Sequence, residues 1–265
     1  MNVTAKFDDR QFKEAAERIA VFSNKSMLEV CRQQAGLFVS DAVRFTPPFG
    51  DAPITESLDE QKHIGEEAVA KGVGRAFRRP GDLYIVQQNT ELGRGILKLI
   101  RNRKNFEKIN NILRKIRFAT GGVIQSPTRE LHDSVRGSRG HVRSGRFGFL
   151  VANWKSVPRF LKLKQKFVGL GKSGWKKAID ELNKYRARKI TVPSWVKRHD
   201  GQGMYLEGQS NEKTFVEVAN LVPTIQKHHG VIMRRAWDNR IRNIQLQAMK
   251  QEQAMQRAAR KAGLA

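Results

Sequence analysis

The sequence predicts an α+β fold: a small antiparallel sheet packed with long helices, plus a large basic insertion with helices and an extended Gly/Arg-rich loop. Three observations carry that prediction. Apolar residues step by three and four from Met27 to Phe45, and a second long helical pattern runs from about His228 through Ile232, Ala236, Ile244, Ala248, Met255 and Ala259 to Gly263. Thr214 to Asn220 alternates apolar and polar side chains as a half-buried strand does. The 265-residue chain carries 50 Lys+Arg against 25 Asp+Glu, a net +25, and the excess is unevenly placed. Residues 1–93 hold 12 basic and 14 acidic side chains, residues 94–198 hold 28 and 5, and residues 199–265 hold 10 and 6. The ends therefore read as an ordinary core, 1–50 with 212–265, and the middle, 51–211, as a basic insertion facing an anionic partner.

In chain order, Val3 to Phe7 alternates as a short strand, and Asp8-Asp9 offers an N-cap to a helix with Phe12, Ala15, Ala16 and Ile19 on one face. Ser23 or Asn24 is the expected cap of the next helix, which Pro47-Pro48 stops. Thr55-Glu56 opens a third helix with Leu58, Ile64, Ala68 and Val69, broken by Pro80-Gly81. Leu83 to Val86 reads as a buried strand, and Gly95 to Ile116 as a basic helix. Gly121 to Gly148 lacks apolar periodicity and is rich in Gly, Ser and Arg, which predicts an extended, mobile arm. A packed element around Trp154, a short helix over Gly174 to Tyr185 and an extended stretch from Thr191 to Asp200 complete the middle.

Composition bounds the function. With 39% hydrophobic and 28% charged residues the chain is neither wholly disordered nor an integral membrane protein. No apolar run approaches the roughly 20 residues that span a bilayer, and the N-terminal residues lack a signal-peptide pattern, so the expected setting is a cytoplasm. The single cysteine, Cys31, excludes an intrachain disulfide and lies on an apolar helical stripe, where a small core residue is expected.

Candidate chemistry is sparse. Gly169-Leu170-Gly171-Lys172-Ser173-Gly174 suggests a phosphate loop, but Lys166 stands where a Walker A loop needs its first glycine. The same residues satisfy GxGxxG without a good preceding strand or an acidic residue near position 194. A turn leading into a helix is expected there, with a nucleic-acid phosphate as its remaining possible ligand. The six histidines show no metal-binding spacing, and Asp180-Glu181 with Lys184 reads as surface pairing on a helix. No catalytic residue, metal or cofactor is expected, and the chain is read as a non-enzyme.

The order of elements carries a resemblance. A short strand, a helix, and a long helix ending Ala42-Val43-Arg44-Phe45-Thr46-Pro47-Pro48 precede a basic middle; Phe215-Val216-Glu217-Val218-Ala219-Asn220-Leu221-Val222-Pro223 then leads to the last helix. Over roughly residues 1–50 and 212–245 this resembles the HK97 gp10-like group of tailed-bacteriophage neck or tail-completion proteins. Thr46-Pro47-Pro48-Phe49-Gly50 departs from that group's Asp-Thr-Gly loop, and the middle is longer than is usual for it. The resemblance implies a structural virion protein that forms a ring, commonly hexameric, and joins the head connector or adaptor to the tail tube. Such a ring lets duplex DNA pass, is assembled in the host cytoplasm and involves no membrane.

A ring around a sliding genome needs a basic lumen without base readout. Arg101, Arg103, Lys104, Arg136, Arg139, Arg143, Arg146, Lys162, Lys164 and Lys166 are the residues expected to face DNA or, equally, acidic patches on neighbouring proteins. The alternatives are a stand-alone nucleic-acid-binding protein and, third, a nuclease.

Overall fold

The structure is a computed structural model that describes residues 10–79, 82–83, 88–101, 108–109, 111–112, 123–124, 126–135, 149–152, 155–210 and 214–261. It is mostly helical and falls into two compact units, one of residues 1–64 with 168–265 and one of residues 65–167.

The first unit is built around α2, Met27–Phe45. Helices α1, Arg10–Ser23, and α10, His229–Lys261, pack on it, as do the antiparallel pair β4, Gly203–Gln209, and β5, Thr214–Asn220. After the single-turn α7, Leu170–Ser173, the short α8, Lys176–Leu182, packs on both α2 and β4. Neighbours on several sides explain why Val30, Phe38, Val39, Ala42, Val43 and Phe45 are all buried. Against α1 and α10 the core is Ala15, Ala16, Ile19, Val30, Ile244 and Ala248. Trp237 of α10 stacks obliquely on Phe12 with ring centroids 5.0 Å apart and meets Phe38 edge-on at 6.4 Å. Polar links also join α2 to α10: Asp41 Oδ2 accepts from Arg240 Nε at 2.6 Å and from Asn239 Nδ2 at 2.8 Å, and Gln34 Nε2 donates to Gln247 Oε1 at 3.3 Å.

The second unit contains the latter part of α3, Leu58–Ala76, and a parallel sheet of three very short strands, β1 Phe77–Arg78, β3 Leu150–Ala152 and β2 Val123–Ile124, with β3 central. Leu150 and Ala152 join a core with Val73, Phe77, Val135, Val157 and Phe160, whereas Val151 points into another with Leu83, Ile96 and Ile109. A strand buried on both faces needs such a continuous apolar triplet. Helices α4, Glu91–Arg101, α5, Arg129–Ser134, and α6, Ser156–Gln165, complete the described part of this unit.

Several expectations are corrected here. The second unit is shorter than the expected insertion 51–211. Residues 168–211 belong with the chain ends because α8 and β4 pack on α2 and β5. Asn24 does not cap α2; with φ 50° it closes α1, the Lys25 amide reaching Ala20 O and the Asn24 amide Val21 O. The cap is Ser26, in a reciprocal capping box with Glu29.

Within the expected arm, Val123–Ile124 pairs with β3, and Thr128 caps α5 through the Leu131 amide. Residues 136–148, the Arg-rich part of that arm, lie outside the described residues, as do the strand expected over Val3–Phe7, Tyr84–Val86, Trp154 and most of the second half of the Gly95–Ile116 helix. The stretch expected to be extended after Pro193 turns into the short α9, Ser194–Lys197, which buries Trp195 and Val196. Strand β5 has the expected limits, and α6 and β4 were not foreseen.

Candidate DNA- or partner-facing basic surfaces

Of the ten basic residues singled out by sequence, Arg103, Lys104, Arg136, Arg139, Arg143 and Arg146 lie outside the described residues, and for Arg101 only the backbone, the last residue of α4, is described. Lys162, Lys164 and Lys166 sit on and just after α6. Helical spacing separates them: Lys162 and Lys166 are exposed with Arg159, while Lys164 is half-buried with its ammonium 5.3 Å from the centre of the Phe160 ring. Leu163 and Phe167, 51% and 63% exposed, accompany the exposed lysines. This strip of alternating cations and apolar groups suits a protein surface as well as a phosphate backbone.

A second basic surface lies in the first unit. Residues 185–192, the chain after α8 and its 3₁₀ extension Asn183–Tyr185, run beside α2 and leave a cleft in two parts that share Arg186 and Arg188. The upper part, 490 Å³, is lined by Lys25, Glu29, Arg32, Gln33, Tyr185 and Arg186–Arg188. The lower, 390 Å³, shares Arg186 and Arg188 and adds Arg44 and Lys189 above Leu37, Val43, Leu58, Ile190 and Val192.

The cations differ in availability. Arg32 is spent on Glu207 of β4 in a two-pronged bond, Nε at 2.8 Å and Nη2 at 2.7 Å, and its guanidinium lies 3.8 Å from the centre of the Tyr185 ring. That pairing holds the Glu207 carboxyl down to about 2, with Tyr205 and Tyr185 also donating to it. Arg186 is packed over Gly36 and donates to Gln33 O at 3.2 Å. Arg188 and Lys189 are exposed at the rim, Lys189 also donating to Asn183 O. The run Tyr185-Arg186-Ala187-Arg188-Lys189 was visible in the sequence, but only the fold shows that it walls a cleft.

The glycine-rich turn is a packing device. Lys172 is fully buried, and its Nζ donates to Val43 O at 2.7 Å, Gln61 Oε1 at 2.9 Å and Thr46 O. The ammonium thus satisfies carbonyls at the C-terminal end of α2 rather than a phosphate. Burial pushes its pKa down to about 7, against the pull of nearby Glu56. Gly169 has φ +99° and lies so close to Trp195 that a Cβ would stand 2.6 Å from the indole. Gly174 abuts the Asn220 side chain, which donates to Gly171 O. The possible phosphate ligand of this turn is thereby removed, because its only lysine is enclosed.

Cys31 is half-buried and burial raises its thiol pKa, as a packing cysteine requires. Glu181 and Lys184 form an exposed ion pair at 2.6 Å. Among the described residues no group of three or more His, Cys, Asp or Glu is placed to hold a metal ion, and no helix is long and apolar enough to cross a membrane. Compared with protein-family models, curated proteins and solved structures, the chain matches none of them.

Proposed function

We propose that the chain is a non-enzymatic structural component of a tailed-bacteriophage neck, a ring-forming tail-completion protein between head connector and tail tube. The observation that carries this reading is the segregation of charge: the unit of residues 65–167 has 23 Lys+Arg against 7 Asp+Glu, net +16, while the unit that gathers both chain ends has 27 against 18, net +9. A cationic appendage on a less charged scaffold suits many weak, sequence-blind phosphate contacts. Within residues 136–148, Arg136, Arg139, Arg143 and Arg146 then add their charge to such contacts with DNA or an acidic neighbour.

Helix α10 supports assembly. Its last turns are largely exposed, and Leu246, Met249 and Met255 present about half of their surface to solvent. Among the described residues the β4–β5 sheet has two strands, so each has one edge with no strand paired to it, where a neighbour's strand would add.

Mass spectrometry of purified phage particles tests the proposal directly: the polypeptide should be a stoichiometric virion component, and inactivating its gene should leave heads and tails unjoined. Mature particles lacking the chain would overturn it. A monomer that binds one nucleic-acid sequence tightly at physiological salt would instead establish the stand-alone nucleic-acid-binding protein.

A further inference from the structure

The first unit presents two surfaces of opposite charge, divided by the first turn of α3. Leu58 lines the cationic cleft, whereas Asp59 and Glu60 line an open concavity together with Thr55, Glu56 and His63. The chain before that turn, residues 51–57, forms a strap with Asp51 and Ile54 exposed.

The strap is fixed from several directions. Glu56 accepts from the Gly50 amide at 2.8 Å and the Ala52 amide at 3.0 Å; Arg44 Nη1 donates to Ile54 O at 2.8 Å and Glu56 O at 2.9 Å; Gln61 Nε2 donates to Pro53 O at 3.1 Å. These bonds hold an isoleucine 39% exposed in a segment that also carries the carboxylates of Asp51, Asp59 and Glu60. A preorganised loop with an apolar tip loses little entropy on docking, the usual economy of a binding element.

From this complementarity we infer that the cleft receives a second copy of the chain. Residues 51–57 and Asp59 of one copy dock between α2 and residues 185–192 of the next, with Ile54 on the apolar floor that Leu37, Leu58, Ile190 and Val192 of the receiving copy form and with Asp51 and Asp59 toward its Arg188 and Lys189. The apolar floor favours this occupant over nucleic acid. So do Glu29 in the upper cleft and the commitment of Arg32 to Glu207, which lower the positive charge a phosphate chain would meet. Strap and cleft adjoin at Leu58, so two copies can exchange straps about a two-fold axis, or each copy can pass its strap to the next around a closed ring. The inference deepens the homo-oligomer part of the proposed function and rests on it, but not on residence in the particle.

Sedimentation velocity of the full chain at low and moderate salt tests it, with circular dichroism of each variant to confirm folding. Wild type should associate, less so as salt rises. Asp51→Lys with Asp59→Lys, or Arg188→Glu with Lys189→Glu, should each weaken association by about tenfold or more, since like charges then face each other. The chain carrying all four substitutions should associate again. Ile54→Ser, which alters no charge, should weaken association while leaving its salt dependence in place. A wild-type monomer at 100 μM (~0.1 mM, ample for contacts of this class) overturns the inference. So does association indifferent to both reversals, or an Arg188→Glu/Lys189→Glu chain that assembles normally yet loses binding to a 30-base-pair duplex (roughly three helical turns). In those outcomes the neck reading still stands or falls separately, on the presence of the chain in particles.

Discussion

Lys172 shows how one side chain can serve two elements. Its ammonium closes the end of α2 through Val43 O and Thr46 O and binds α3 through Gln61, in a site with no solvent exposure. Truncation strands three buried acceptors, so Lys172→Met should cost about 3 kcal/mol in urea unfolding. The pH dependence has a definite sign. Between about 7 and the ordinary lysine value of 10.5, the unfolded chain holds a proton that the folded chain does not, so raising pH through that window should stabilise wild type. The Met variant should lack that rise. Glu207 behaves oppositely: with its carboxyl held at about 2 by Arg32, its contribution is full above the ordinary 4.5 and is lost as pH falls toward 2. Glu207→Gln should cost about 1 kcal/mol at neutral pH and reduce the loss of stability on acidification, read by urea titrations at pH 6 and pH 3.

At the scale of elements, local signals and tertiary packing divide the work. The capping box of α2 is local, and Ser26→Ala should lower stability by about 1 kcal/mol in thermal or urea unfolding. The turn before α8 is tertiary: Gly169→Ala should cost about 1–3 kcal/mol, because a Cβ there meets Trp195 and φ +99° is strained for any L side chain. The same division explains what could be read in the sequence. Helices α1, α2 and α10 and strand β5 carry their periodicity in their own residues, and Pro47 marks the stop of α2. Strand β4, with Gly203 and Gly208 in it, has little propensity and exists because β5 pairs with it along its whole length. Strands β1, β2 and β3 are two or three residues long, too short for any pattern to register. Trp195 turns Ser194–Lys197 inward where Pro193 suggested extension. Of the basic surfaces, the lysines of α6 were legible as charge. The cleft was not, since it needs residues 25–44 and 185–192 brought side by side.

For the whole molecule, the question is what a net charge of +25 does. A charge that large repels itself, and an anionic partner relieves the repulsion by releasing condensed counterions. The unit of residues 65–167 is net +16, and its described strip on α6 mixes Arg159, Lys162 and Lys166 with exposed Leu163, a pattern of charge and apolar surface rather than of base-matched polar groups. Binding to duplex DNA should therefore be indifferent to sequence and steeply salt-dependent. If about six to ten phosphates are neutralised, affinity should fall by roughly 10³–10⁵ between 50 and 200 mM salt. Fluorescence anisotropy with two duplexes of unrelated sequence checks both parts. Lys162→Ala with Lys166→Ala should lower the slope of log affinity against log salt by about two, equally for both duplexes, if those lysines meet phosphates. An unchanged slope would assign the α6 strip to an acidic protein neighbour, leaving the phosphate contacts to the remaining arginines and lysines of that unit.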